Sequence, residues 1–339
     1  KTSIAGDYSF NTSFPLSVTL EGIFNKTVNG VSMSDWSTPN VGGFARFNGV
    51  DNRPIYPEKY RIGTPAFVLE NTSRGYGWSG NITVNAQPTK YINLMAAYTH
   101  TVAKDVTGMP GSNAESAFTY LPTVEGPNHI KLHNSQYNTP DRLVASLTIN
   151  DKSGNHFSFI YEGWKGGANY SYMTANDMNG DGINGDLIYI PKGRGDIKFI
   201  SQEDEDAFFN FMEQDDYLKS NKGKYAKANA ARSPWVHTFD LRLVREYYIN
   251  VGNDNTHTLQ FSLDFLNVGN MINSKWGVNK TNRISNNGEV LRFEGVDGQN
   301  APIYSMARGQ NGEYLTKTFD YDYHYNQTWK LQIGARYSF

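Results

Sequence analysis

The chain has 339 residues, a formal net charge of −2 and no cysteine; this excludes disulfide frameworks, thiol catalysis and Cys-based zinc sites, and leaves no basic footprint for nucleic acid. Hydrophobic residues make up only 38% while aromatics reach 14%, with 22 Tyr and 19 Phe, a mixture that suits strands and turns better than helices. No apolar run approaches the roughly 18 residues of a transmembrane helix. The opening KTSIAGDYSF carries neither an initiator Met nor a signal peptide, and is expected to belong to a processed or partial chain.

Period-2 alternation predicts nine strands. The first runs from Thr2 to Asn11 with Ile4, Gly6, Tyr8 and Phe10 on one face. The second carries Leu16, Val18, Leu20, Gly22 and Phe24 against Ser17, Thr19, Glu21 and Asn25. The third is YGWSGNITVNAQ, the fourth YINLMAAYTHTVAKDV, the fifth DRLVASLTIN and the sixth HFSFIYEGW. The seventh, HTFDLRLVREYYI, sets Phe239, Leu241 and Leu243 against Asp240 and Arg242; the eighth sets Leu259, Phe261, Leu263 and Phe265 against Gln260, Ser262 and Asp264. The ninth is predicted to be long, from Tyr321 to Phe339, with Trp329, Leu331, Ile333 and Ala335 on one face and Lys330 and Arg336 on the other.

Tight turns follow the first, third, fifth and seventh strands, whereas the other links run to roughly 30 to 65 residues, a length that is uncommon unless functional. Within the longest link, Ser201 is placed to cap a helix with Asp204 three residues on and Phe208, Phe211 and Met212 at helical spacing, so one loop helix is expected there.

A soluble half-buried strand alternates too. The polarity here points the other way: a transmembrane barrel has an apolar outer band, aromatic girdles and a polar interior, with short turns at one end and long loops at the other. In that reading Glu21, Asp240, Arg242, Asp264, Lys330 and Arg336 face the lumen, and Tyr76, Trp78, Tyr91, Tyr247, Trp329 and Tyr337 sit near the headgroups. His237 and His324 are expected among the inward polar positions. Nine strands cannot close such a wall alone, since bacterial single-chain barrels use even strand numbers, so residues 1–339 are expected to be the C-terminal part of a larger barrel.

Four stretches, NDMNGDGINGDLIYIPKGR, ANAARSPWVHTFDLRLVREY, LQFSLDFLNVGNMINSKWGV and the aromatic-terminated last strand, together resemble the C-terminal barrel half of TonB-dependent outer-membrane transporters, nearest the Oar-like subgroup of Bacteroidota-type bacteria. The resemblance covers residues 161–339 best. It implies a 22-stranded barrel filled by an N-terminal plug, location in the outer membrane of a Gram-negative cell, coupling to a periplasmic TonB complex, and contact with outer-membrane lipids and a surface lipoprotein. Phe339 corresponds in it to the aromatic C-terminal signal read during outer-membrane assembly.

The run DMNGDGINGD spaces Asp177, Asn179 and Asp181 as ligands 1, 3 and 5 of a Ca²⁺ loop with Gly182 following, and Asp186 offers a late carboxylate. The glutamate expected at position 12 is instead Ile188, so a turn whose side chains cap their own backbone is the competing reading. The aromatic segments DWSTPN, YEGWKGGANYSYM and FDYDYHYN read either as sugar- or peptide-gripping surfaces or as girdle and loop packing. No nucleophile elbow, zincin motif or phosphate loop is present, so no enzyme activity is expected. Two function classes follow: active transport, or a surface adhesin or structural subunit binding protein partners through its long loops.

Overall fold

Alternation decides which side chains share a side of a strand, and register decides whether that alternation adds up across a sheet. In the computed structural model it adds up. The structure describes the chain apart from residues 39–40, 62–64, 108–112, 120, 167–168, 253–255, 285–287 and 310. Nine strands follow in chain order: β1 Thr2–Ser9, β2 Leu16–Lys26, β3 Tyr76–Thr89, β4 Ile92–Asp105, β5 Asp141–Asn150, β6 Asn155–Lys165, β7 Trp235–Asn250, β8 Thr256–Leu266 and β9 Lys330–Ser338. Each pairs antiparallel with its sequence neighbours, and a short strand His133–Asn134 on β4 completes a ten-stranded sheet. β1 and β9 are its two edges, and among the described residues the sheet is open, with no closed barrel.

One row across the sheet shows what the register achieves. Leu16 pairs with Ala86, Ala86 with Leu94, Leu94 with Leu147, Leu147 with Phe159, Phe159 with Leu241, Leu241 with Phe265 and Phe265 with Leu331. A row on the opposite face reads Asn93, Thr148, Ser158, Arg242, Asp264 and Gln332. The apolar face is left uncovered, with Ile4 77% and Ile333 72% exposed.

The core lies elsewhere. The four long links, residues 27–75, 106–140, 166–234 and 267–329, all leave the sheet at one end, and their described residues fold together into a cap. Its centre is a five-stranded sheet in the order Asp186–Leu187, Met173–Ala175, Glu289–Val296, Pro302–Met306 and Lys198–Phe199, in which the second and third strands, and the fourth and fifth, run parallel. The predicted helix is present as Gln202–Gln214. Ser201 caps it by accepting from the Asp204 N–H, and Asp204 in turn accepts from the Met306 N–H at 2.9 Å, which ties the helix to the sheet. Phe208, Phe211 and Met212 fill the core beside Tyr172, Ile188, Ile190 and Leu291. A second cluster joins Met33, Phe118, Leu121 and Ile183 from three different links.

Two expectations are corrected here. The links hold more than one short helix: Glu58–Arg61, Ala114–Thr119, Asp216–Ser220 and Val268–Ile272 are also helical, because the links are folded as one cored unit rather than as separate loops. The last strand begins at Lys330, not at Tyr321. Side chains of the preceding link claim the backbone there: Asn267 Nδ2 donates to the Gln327 carbonyl at 2.7 Å, and the Trp329 N–H donates to Asn270 Oδ1 at 3.2 Å. Residues Tyr325–Gln327 turn as a 3₁₀ helix, while Phe319–Tyr321 pairs with Lys280–Asn282 inside the cap.

Candidate functional site

The polar face of the sheet gathers the six residues expected to face inward, Glu21 among them in register with Asn81. Arg242 lies 3.5 Å from Asp264 on the neighbouring strand, and Asp240 accepts from the Asn267 N–H at 2.7 Å. Lys330 sits 5.8 Å from the Tyr325 ring centroid and Arg336 is exposed at β9. Arg142 and Glu162 add a second cross-strand ion pair at 2.7 Å, and Glu246 collects Gln260 at 2.9 Å and His156 at 3.3 Å. Exposed pairs of this kind contribute about 0 to 1 kcal/mol each, so their effect is to keep a wide surface charged and wet. His237 falls on the other face: it is in register with Gly163, stacks on Trp235 and shares a hydrogen bond of 2.7 Å with Tyr161. His324 lies outside the sheet, 3.1 Å from Asp322.

Aromatic residues border the apolar face, with Trp78, Tyr247, Trp329 and Tyr337 all exposed, and Phe339 ends the chain beside Tyr337. The aromatic loop segments divide. Tyr172 is buried in the cap core and Tyr170 packs on Phe319, whereas Trp36 is exposed and donates to Glu70 at 3.1 Å. Residues 39–40 and 167–168 of those segments lie outside the described residues.

Sequence spacing did not reveal the most charged feature of the cap. Arg53 is completely buried; its Nε and Nη2 bind both oxygens of Asp51 at 2.9 Å, Nη1 binds Asp186 at 2.8 Å, and Nη2 also donates to the Leu187 carbonyl at 2.7 Å. The hydroxyls of Tyr225 and Tyr304 donate to the same Asp51 at 2.9 and 2.7 Å. Three links therefore meet at one Arg53–Asp51 pair. Its only sequence trace is the pair of opposite charges two residues apart in Asp51 and Arg53.

The DMNGDGINGD run is folded as a self-capped turn. Asp177 accepts from the N–H groups of Gly180, Asp181 and Gly182, Asn179 from Asp181, and Asp181 from Ile183. Gly182 has φ +84°, a conformation that favours glycine. Asp186 is drawn away to Arg53 and to the Met178 N–H at 2.8 Å. Among the described residues no group of three or more His, Cys, Asp or Glu side chains is placed to hold a metal ion. One oxygen does stand apart, for Asp181 Oδ2 is buried without a hydrogen-bond partner. Burial first, then the charges of Asp186 and Asp177, push the Asp181 carboxyl well above its ordinary range; burial also raises Asp186 to about 7 against the pull of Arg53.

Both shifts are upward, so the folded cap holds protons that the unfolded chain has released. That contribution is complete below the unfolded value of 3.8 and is lost as pH rises through the folded values, about 7 for Asp186. In a chelator, protease resistance of the cap is expected to fall between about pH 5 and pH 8, and Asp181→Asn to flatten the fall. A Ca²⁺-induced gain in the parent that Asp181→Asn lacks would establish the ion at Asp177, Asn179 and Asp181.

No family model, curated protein or solved structure matches the chain.

Proposed function

We propose that β1–β9 are a stretch of the wall of an outer-membrane β-barrel, with the apolar face on lipid and the polar face on the lumen. On this reading the protein is a TonB-dependent transporter for a substrate too large or scarce for open pores. The observation that carries it is the unbroken row from Leu16 to Leu331, apolar on eight neighbouring strands and left uncovered among the described residues. In water such a face is an aggregation liability, whereas in hydrocarbon it is the required surface.

Hydrocarbon also requires that no strand edge stay unpaired, so further strands close the gap between β1 and β9. A plug fills the lumen and a periplasmic TonB complex moves it. The cap sits at the extracellular end and captures substrate, with or without a surface lipoprotein, and the ladder of Arg142, Glu162, Arg242, Asp264, Lys330 and Arg336 keeps the path below it polar.

Expression of the full protein in a Gram-negative cell tests the wall. The protein is expected to resist alkaline carbonate extraction and to migrate faster on a detergent gel before boiling than after. Extraction into the soluble fraction with identical migration would sink the proposal. The adhesin reading rests on the self-cored cap with its exposed Trp36 and Tyr137. It predicts partner binding that persists when TonB is deleted and no energy-dependent uptake.

A further inference from the structure

A cavity of about 340 Å³ lies where the end of β4 meets two of the long links. Val124, Leu132, Leu187 and Ala228 give it apolar walls, and Lys104, Lys131 and Lys227 also line it. Glu125 is the one carboxylate among the described lining residues, and it sits 3.8 Å from Arg46. The described lysines in ion pairs are Lys198, Lys219, Lys222 and Lys317, so none of the three at the cavity has an acidic partner. Lys104 instead donates to the amide oxygen of Asn134 at 2.5 Å, with Lys227 and Arg232 close enough to act on it as like charges. His129 and His133 line the same space, and the Nε2 of each is buried with no hydrogen-bond partner.

Three cations around one partly enclosed space repel each other, and a chain of net charge −2 has no general excess of positive charge to account for them. An anion placed among them would offset that repulsion and form charge-assisted hydrogen bonds. The remaining wall is apolar, and a small concave site with a few convergent polar groups is the usual form of a ligand pocket. We propose that this cavity binds an amphiphilic anion, a carboxylate or phosphate ester on a short apolar body, with Lys104, Lys131 and Lys227 around its head and Val124, Leu132, Leu187 and Ala228 along its body. The site lies where the cap meets the end of β4, so it holds whether the protein is a transporter or an adhesin.

Calorimetric titration of the full protein in a neutral maltoside detergent tests it with four probes: octyl phosphate, octanoate, inorganic phosphate and octanol. The first two are expected to bind saturably at one site, and the last two at least about tenfold more weakly, since each lacks one half of the recognised group. Lys131 and Lys227 are exposed, so Lys131→Gln/Lys227→Gln leaves the fold intact, and it is expected to weaken octyl phosphate binding by about tenfold with an unchanged melting temperature. Octanol binding as tightly as octyl phosphate, phosphate alone doing so, or an unchanged affinity in the double variant would each overturn the proposal.

Discussion

Arg53→Met is expected to destabilise the cap by about 3 to 5 kcal/mol, the scale for removing one partner of a buried ion pair. The side chain it replaces is wholly buried and holds Asp51 and Asp186, and the variant leaves both buried carboxyl groups without a counter-charge. Arg53→Lys keeps the charge but loses the fork that binds both oxygens of Asp51, so it is expected to fall between parent and Arg53→Met. The triple variant Arg53→Met, Asp51→Asn, Asp186→Asn removes the stranded charges and is expected to recover much of the loss. Limited proteolysis separates the effect on the cap from the rest, because the pairings of β1–β9 do not pass through Arg53. A cap in Arg53→Met as resistant as the parent's would show that the buried network contributes nothing net.

The sheet was legible because a strand with one apolar face writes its structure at period two, and one misplaced residue would turn its whole apolar set over. Thr2–Ser9 and Lys330–Ser338 are equally plain by that rule, although they stand at opposite edges of the sheet. The cap obeys no such rule. Asp186–Leu187 and Lys198–Phe199 are two residues long, too short for any period, and Met173–Ala175 finds its parallel partner in Glu289–Val296, in a different link. Only the helix after Ser201 was visible, since capping and helical spacing are local. The same locality misled at the end of the chain. Tyr321, Tyr323 and Tyr325 continue the alternation in sequence, but Asn267 and Asn270 take the backbone groups at Gln327 and Trp329 and stop the strand.

The candidate sites divide in the same way. Asp240, Arg242, Asp264, Lys330 and Arg336 were placed on one face by parity alone, and the pairing register sets them on one face of the sheet. Parity also places His237 on the apolar side with Phe239, against the expectation that a histidine would face inward. Spacing grouped Asp186 with Asp177, Asn179 and Asp181, whereas folding gives Asp186 to Arg53, a partner 133 residues away. Nothing local marks Arg53 as buried, because arginine is usually exposed unless paired and its partners come from distant parts of the chain.

Two adjacent residues of β9 separate a membrane wall from a sheet in water. Ile333 lies on the apolar face opposite Leu263, midway between Trp329 and Tyr337, and Gln332 lies on the polar face opposite Asp264. Ile333 is 72% exposed in the chain, so in water Ile333→Arg should stay within about 0.5 kcal/mol of the parent, as surface changes do. In a bilayer the same arginine stands near the midplane, where the cost is about 2 to 4 kcal/mol. Gln332→Arg faces the lumen beside Asp264 and is expected to change little in either setting. Urea titration of the full protein folded into phosphatidylcholine vesicles, read by gel mobility without boiling, measures both variants against the parent. A loss confined to Ile333→Arg assigns the apolar face to lipid. Small and equal effects at the two positions would leave the sheet in water, and the wall, the lumen and the transport reading would fall together.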